Sequence, residues 1–261
     1  MVILITGAST GIGAEFARQF AARGDDLILV ARSSDRLNEL AGELRKAHAV
    51  SVAVIAMDLS ESGAAAQLFE HTTRLGLEVD VLVNNAGGGT HADVAEADPQ
   101  RLEREVELNC RTVVGTTARY LPGMRARGSG TIINLASTAA FLALPKMAVY
   151  GASKAFVLSF TEALWHEERK HGIRVLAVCP GMTATNFFEA AGEGAVNAAS
   201  LSDTLRVTRT PKQVVDSTMR ALSGRKSSVV DGALNAVVWR GLTRLLPTRT
   251  MLAISGHLVE G

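Results

Sequence analysis

The sequence predicts an α/β fold, with a central parallel sheet of about seven strands and helices on both of its faces. Two observations carry this. Short apolar, β-branched runs recur along the chain, and helix-compatible segments separate them. The runs also lack the polar alternation of a half-exposed sheet, so both faces of each strand must be covered. Strands that alternate with helices make βαβ units, which build parallel sheets through right-handed crossovers.

The predicted strands are Val2–Thr6, Leu27–Val30, Val50–Met57, Val79–Val83, Thr131–Leu135, Ile173–Val178 and a weaker one near Ser227–Val230. Gly13–Arg23, Asp35–Ala47, Pro99–Arg127 and Ala148–Lys170 suit helices. Met182–Thr210 is rich in Ala, Gly, Ser and Thr and follows a strand end, so a mobile loop over a site is expected there. Ala233–Gly261 reads as one amphipathic helix plus a tail. Its apolar residues, with Arg240 and Arg244, suit a site cover, a subunit interface or contact with a lipid surface. No linker rich in Pro, Gly or Ser divides the 261 residues, which points to one domain.

Composition narrows the function classes. Lys and Arg number 27 against 26 Asp and Glu, so nucleic acid or an anionic membrane is not expected as the main partner. No apolar run is long enough to span a bilayer. Met1–Thr6 reads as a buried strand rather than a signal peptide. Cys110 and Cys179 lie in apolar stretches, as reduced core residues of a cytoplasmic protein would. His166 and His171 flank Glu167 and Glu168, but the spacing is not that of a zinc site, and the solvated end of a helix is expected instead. No metal is predicted.

The first predicted strand runs directly into Thr6-Gly-Ala-Ser-Thr-Gly-Ile-Gly13, and a helix pattern with Ile12, Phe16 and Phe20 on one face begins at once. Glycine is needed where the chain turns sharply from strand to helix and a pyrophosphate approaches bare backbone. The helix N-terminus then supplies free N–H groups and a favourable dipole. This loop predicts dinucleotide binding on a doubly wound Rossmann fold.

The spacing Gly7, Gly11, Gly13 resembles the glycine motif of the short-chain dehydrogenase/reductase family, and further motifs of that family follow in order. They are Asn84-Asn85-Ala86-Gly87, Asn109, Ser137, Tyr150-Gly-Ala-Ser-Lys154, Pro180-Gly181 and Thr185. The resemblance covers residues 2 to about 230. It implies that residues 1–135 mainly bind cofactor, that 136–210 hold the catalytic residues and substrate loop, and that 231–261 are a variable extension. The cofactor-binding residues it implies are Gly7, Ser9, Thr10, Gly11, Ile12, Gly13, Arg32, Asp58, Leu59, Asn85, Ala86, Gly87, Tyr150, Lys154, Pro180, Gly181, Thr183 and Thr185. Asp58 resembles the family's adenine-binding Asp.

The choice of cofactor is read at the tip of the second strand, where an acidic residue binds a ribose diol and an Arg instead accepts a 2′-phosphate. Ala31 stands at the acidic position and Arg32 follows, with Ser33 and Arg36 close by, so NADP is expected over NAD. Thr10 departs from this pattern, because many NADP users in the family carry a basic residue there.

Tyr150 and Lys154 are four residues apart, which puts both on one face of a helix. The ammonium is expected to make the phenol more acidic, so that Tyr150 acts as general acid in reduction and base in oxidation. Ser137 would hold the substrate oxygen, giving a developing alkoxide two donors. Asn109 resembles the family's helix-kinking Asn, which relays protons to Lys154. The catalytic set is thus Asn109, Ser137, Tyr150 and Lys154.

Gly88–Ala92, Thr138–Met147 and Met182–Leu205 would wall the substrate and supply Phe141, Leu142, Leu144, Met147, Phe187 and Phe188, so an apolar ketone, aldehyde or acyl chain is expected. The predicted activity is an NADP(H)-dependent interconversion of a carbonyl and an alcohol. A catalytically silent dinucleotide-binding regulator and a same-fold epimerase or dehydratase are the alternatives. The resemblance also implies a homodimer or homotetramer, formed through Pro99–Arg127 and Ala148–Lys170.

Overall fold

In the computed structural model, residues 1–192 and 208–232 are described, together with 235–236, 241, 247, 249–250 and 252. Seven strands form one sheet. They are β1 (Val2–Thr6), β2 (Asp26–Ala31), β3 (Val52–Ala56), β4 (Val81–Asn84), β5 (Gly130–Leu135), β6 (Ile173–Cys179) and β7 (Ser228–Val230). Their order is β3-β2-β1-β4-β5-β6-β7 and every pairing is parallel. The order reverses between β1 and β4, and ligands of such sheets bind beyond the strand ends at that switch point.

Alternate strand residues point to opposite faces, and each face carries its own core. Ile3, Ile5, Leu27 and Leu29 pack against α1 (Gly11–Ala21), α2 (Ser34–His48) and α8 (Pro211–Leu222) through Phe16, Phe20, Leu37, Leu44, Val214 and Val215. Leu4, Ile28, Val30, Leu82 and Ile132 pack the other way, against α3 (Ala64–Arg74), α5 (Thr112–Arg127) and α6 (Ala148–Glu168), through Leu68, Tyr120, Met124 and Leu164. The doubly wound fold read from the sequence is the fold observed.

A buried polar network fixes the half of the sheet that carries the site. Asn84 of β4 donates to Asn134 of β5 at 2.9 Å and accepts from Thr116 of α5 at 2.8 Å, while Asn134 donates to Thr161 of α6 at 2.9 Å. Each buried amide finds partners, so the network sets the register of two strands against two helices.

Several expectations need correction. The predicted helix Pro99–Arg127 is α4 (Pro99–Val106) and α5 joined by a π turn, Glu107–Arg111. Helices α3 and α8 were not anticipated, although both are amphipathic and α8 opens with Pro211 and a Thr210–Gln213 capping box. Strand β2 starts one residue before the predicted Leu27, at Asp26, which accepts from the Ser51 amide at 2.7 Å. Glu168 is not solvated at the end of α6: it is fully buried and held by both nitrogens of an Arg125 fork. The expected loop Met182–Thr210 contains a short helix, α7 (Phe187–Ala191), and a parallel bridge between Thr183 and Arg209. Most of the amphipathic helix expected after Ala233 lies outside the described residues.

The bridge leads to a buried ion pair behind β6. Arg209 donates to Asp231 through Nε at 2.8 Å and Nη2 at 3.2 Å, and Ser217 donates to the same carboxylate at 2.5 Å. Asp231 is fully buried. Removing its cation leaves a buried carboxylate short of partners, so Arg209→Ala is expected to cost about 3 kcal/mol. That loss would read as a melting temperature lower by roughly 6–12 °C.

Candidate active site

The glycine loop sits where β1 ends at the switch point. Gly7 and Gly11 have φ of 66° and 57°, a left-handed backbone that favours glycine. Gly13 is constrained by space instead: a Cβ there would stand 2.2 Å from the Gly7 carbonyl oxygen and 2.6 Å from Asn85 Nδ2. Gly13→Ala would overpack this turn at a cost of about 1–3 kcal/mol. The expected outcome is a lower melting temperature and NADPH binding, followed by fluorescence, weakened about tenfold. Helix α1 has Thr10 at its N-cap in extended conformation, but no side chain caps it. Its first N–H groups therefore still need acceptors, which a pyrophosphate supplies. The cradle and the uncapped helix fit a dinucleotide.

The loop is braced from β4. Asn85 donates its side-chain amide to the Thr6 and Gly7 carbonyls at 2.9 and 3.1 Å, and the Asn85 and Ala86 amides both donate to the Thr6 hydroxyl at 3.0 Å. Asn85 thus shapes the cradle from behind. Opposite, Thr185 closes on the loop: its Cγ2 lies 2.9 Å from where a Gly11 Cβ would be. Thr183 is buried and its hydroxyl donates to the Gly181 carbonyl at 2.9 Å. Pro180 is buried and accepts from the Thr138 amide at 2.9 Å. Ile12 and Ala86 are partly buried against the two cores. Ser9 is half-buried in the loop.

At the tip of β2, Ala31 is buried and Arg32 is exposed. Asp58 follows β3 at the same end of the sheet. Burial would raise its carboxyl, but the Ser60 hydroxyl and amide, with Arg32 and Arg104 nearby, hold it below the usual carboxylate range. Leu59 is a core residue, 3% exposed, whose carbonyl accepts from Thr112 at 2.7 Å.

The catalytic set comes together at the ends of β4 and β5. The π turn points Asn109 inward, 1% exposed, where its carbonyl oxygen accepts from the Gly88 amide at 3.0 Å. Its amide donates to the Gly88 carbonyl and to the Ser153 hydroxyl, both at 2.9 Å. A π turn widens the helix by one residue, which is how α4 and α5 stay continuous while Asn109 swings in. Ser137 follows β5, caps a short turn by accepting from the Ala139 amide at 3.1 Å, and lies near enough to the Tyr150 phenol to lower it. Lys154 is 5% exposed, donates to the Leu135 carbonyl at 2.8 Å, and stands 5.7 Å from the centre of the Tyr150 ring. A Cβ on Gly87 would be 3.2 Å from both Lys154 Nζ and Asn109 Oδ1, so Gly87 keeps these two groups in reach of each other.

Burial dominates the electrostatics of Tyr150 and Lys154. Burial pushes the Tyr150 phenol up to about 12, against the lowering effect of Ser137 and with a further push from Glu105. Burial likewise brings Lys154 down to about 8, opposed by Cys110, Glu105 and Cys179. Desolvation is thus the largest influence on both groups, lifting the phenol and lowering the ammonium.

The mouth is apolar. The Phe187 ring of α7 lies 5.1 Å from the Tyr150 ring, and Leu144, Met147 and Ala191 pack beside them. Gly89 leaves room there, since a Cβ would come within 2.9 Å of Phe187 Cζ and 3.1 Å of Met147 Cε. Arg101 of α4, outside the segments named as walls, reaches over to donate to the Ala190 carbonyl at 3.0 Å. The His91 amide donates to the Ala191 carbonyl at 3.0 Å, which places His91 at this mouth as expected. Among the described residues no cluster of His, Cys, Asp and Glu could hold a metal, and no helix is long and apolar enough to cross a membrane.

Comparison with known proteins agrees with this geometry. The model of the short chain dehydrogenase family matches residues 1–195. A dehydrogenase/reductase of Bos taurus, SDR family member 7B, is 32% identical over 88% of this chain and 72% of its own. The very-long-chain 3-oxoacyl-CoA reductase of Mus musculus is 33% identical over 70% of this chain, which spans 59% of that protein's length. Among solved structures, a short-chain dehydrogenase from Sphingobium yanoikuyae in complex with NADPH superposes with a TM-score of 0.83 at 32% identity, over 94% of this chain and 92% of its own. The chain belongs to the short-chain dehydrogenase family and is an oxidoreductase of that family.

Glu105 is the residue the sequence reading missed. It is 6% exposed and stands close enough to Lys154 and Tyr150 to raise both. Its place four residues before Asn109, one helical turn away on the same face, was the available signal.

Proposed function

We propose that the protein reduces an apolar ketone, aldehyde or acyl carbonyl with NADPH, and runs the reverse oxidation with NADP. The observation that carries this is the placing of half-buried Ser137 and Tyr150 beside buried Lys154, next to the apolar wall of Leu144, Met147 and Phe187. NADPH supplies a hydride when bound. Gly7, Gly11, Gly13 and the α1 N-terminus would hold its pyrophosphate, Asp58 its adenine, Lys154 its ribose and Arg32 its 2′-phosphate. The Sphingobium relative's complex with NADPH supports the choice of cofactor.

Within the site, Ser137 and Tyr150 would both donate to the substrate oxygen, so that charge developing there meets fixed donors in a dry pocket. Tyr150 then releases its phenolic proton to that oxygen as it becomes an alcohol. Packed apolar side chains exclude water from the reacting carbonyl. The same reading takes the protein as a homodimer or homotetramer; Val106 on α4 and Phe156 on α6, 46% and 43% exposed, are apolar residues that such an interface would cover.

The test is a panel of ketones, aldehydes and alcohols with both cofactors. Turnover of apolar carbonyls with NADPH in preference to NADH is expected. Cofactor binding without turnover across the whole panel would contradict the reading.

A further inference from the structure

Glu105 breaks the rule that buried charges are paired. The other polar residues of α4 (Gln100, Arg101, Glu103 and Arg104) are exposed, yet Glu105 is 6% exposed and neither carboxyl oxygen makes a hydrogen bond among the described residues. The groups that face it come from each element packed around it. The Thr90 hydroxyl and amide approach from the loop after β4 without completing a hydrogen bond, Arg101 lies one turn earlier on its own helix, Cys110 is on the π turn, and Tyr150 and Lys154 are on α6. Neither cation pairs with it: Arg101 is engaged with the Ala190 carbonyl and Lys154 with the Leu135 carbonyl.

An unpaired buried carboxyl is more stable neutral than charged. Burial does raise Glu105, against the pull of Thr90, Arg101 and Lys154. The chemistry of this site needs such a group, because each reduction takes a proton from Tyr150 and the buried pair must recover it. Resting on the reductase reading above, we infer that Glu105 is a positioning residue that keeps a proton in reserve and returns it, by way of Lys154, to Tyr150 after each turnover. The balance is simple. The Tyr150 O–H breaks and its proton joins the substrate oxygen. A Lys154 N–H breaks to restore the phenol, the Glu105 O–H breaks to restore the ammonium, and a proton from bulk water restores the carboxyl. The net uptake is one solvent proton for each hydride delivered. Once ionised, Glu105 raises both Lys154 and Tyr150, so giving up the reserve makes that pair hold its protons more firmly.

Glu105→Gln keeps the shape and removes the exchangeable acid. In steady-state reduction with NADPH, kcat is expected to fall about tenfold near neutral pH, with a changed pH profile and a larger solvent deuterium isotope effect. The first turnover and the NADPH dissociation constant should stay within about twofold of the parent, which a merely structural lesion would not allow. Glu105→Asp should recover part of the loss. An amide variant with the parent's kcat, pH profile and isotope effect overturns the inference while leaving the reductase reading intact. A parent that turns over no carbonyl overturns both. Carbon-13 NMR of the Glu105 carboxyl in the unaltered protein gives a check that no variant's folding can spoil: titration above the ordinary glutamate range is expected, and titration at or below that range contradicts the inference.

Discussion

Replacing Tyr150 by Phe is expected to lower kcat for carbonyl reduction by about 10²–10⁴-fold, the share of a rate that a placed general acid commonly supplies. The fold should not suffer. The ring packs against Phe187 at 5.1 Å and is one of the apolar group with Leu144 and Met147, and Phe keeps that packing. What is lost is the hydroxyl beside Ser137 that, on the proposed reading, donates to the substrate oxygen. The loss should therefore appear in kcat and kcat/KM together, with NADPH binding unchanged, as expected when an interaction made only in the transition state is removed. A variant with rates near the parent's would assign proton transfer to another group.

The second large effect is expected at the tip of β2. Arg32→Ala should weaken NADPH binding by about 10–100-fold, the range of a lost charge-assisted hydrogen bond. NADH binding should barely change, because the two cofactors differ only by the 2′-phosphate. Arg32 is exposed, so the substitution removes no buried packing and stability should hold. Ala31, buried at the position where an acidic residue would repel that phosphate, completes the argument. Parallel fluorescence titrations of NADPH and NADH against both proteins check it. An equal loss for the two cofactors would remove Arg32 from the specificity argument.

The sheet was legible because its strands are buried on both sides and therefore apolar at every position. Leu4 and Ile5 point to opposite cores and both are fully buried. The glycine loop was legible because few other structures require Gly7, Gly11 and Gly13 at that spacing beside a strand end. Ser137, Tyr150 and Lys154 do converge, as their order along the chain implied. The π turn was not legible, since Glu107–Arg111 has ordinary helical composition and the extra residue is forced only by tertiary packing around Asn109. Glu105 and Glu168 were misleading for one shared reason. Each sits in a charged stretch that reads as a solvated face, and only tertiary packing buries it, against α6 for Glu105 and against Arg125 for Glu168. The desolvation that dominates the Tyr150 phenol was not legible, because spacing reveals a neighbouring ammonium but not burial.

The central claim is that Tyr150 exchanges the substrate's proton, giving it up beside NADPH and taking it up once the cationic ring of NADP shares its pocket. The chain has two tyrosines, and burial holds both Tyr120 and Tyr150 at about 12 without cofactor. An ultraviolet titration of tyrosinate, with and without saturating NADP, therefore reads the claim directly. The account predicts no ionisation in the mildly alkaline range for the protein alone, and one tyrosinate there when NADP is bound, absent from Tyr150→Phe. A titration that NADP leaves unmoved would contradict it.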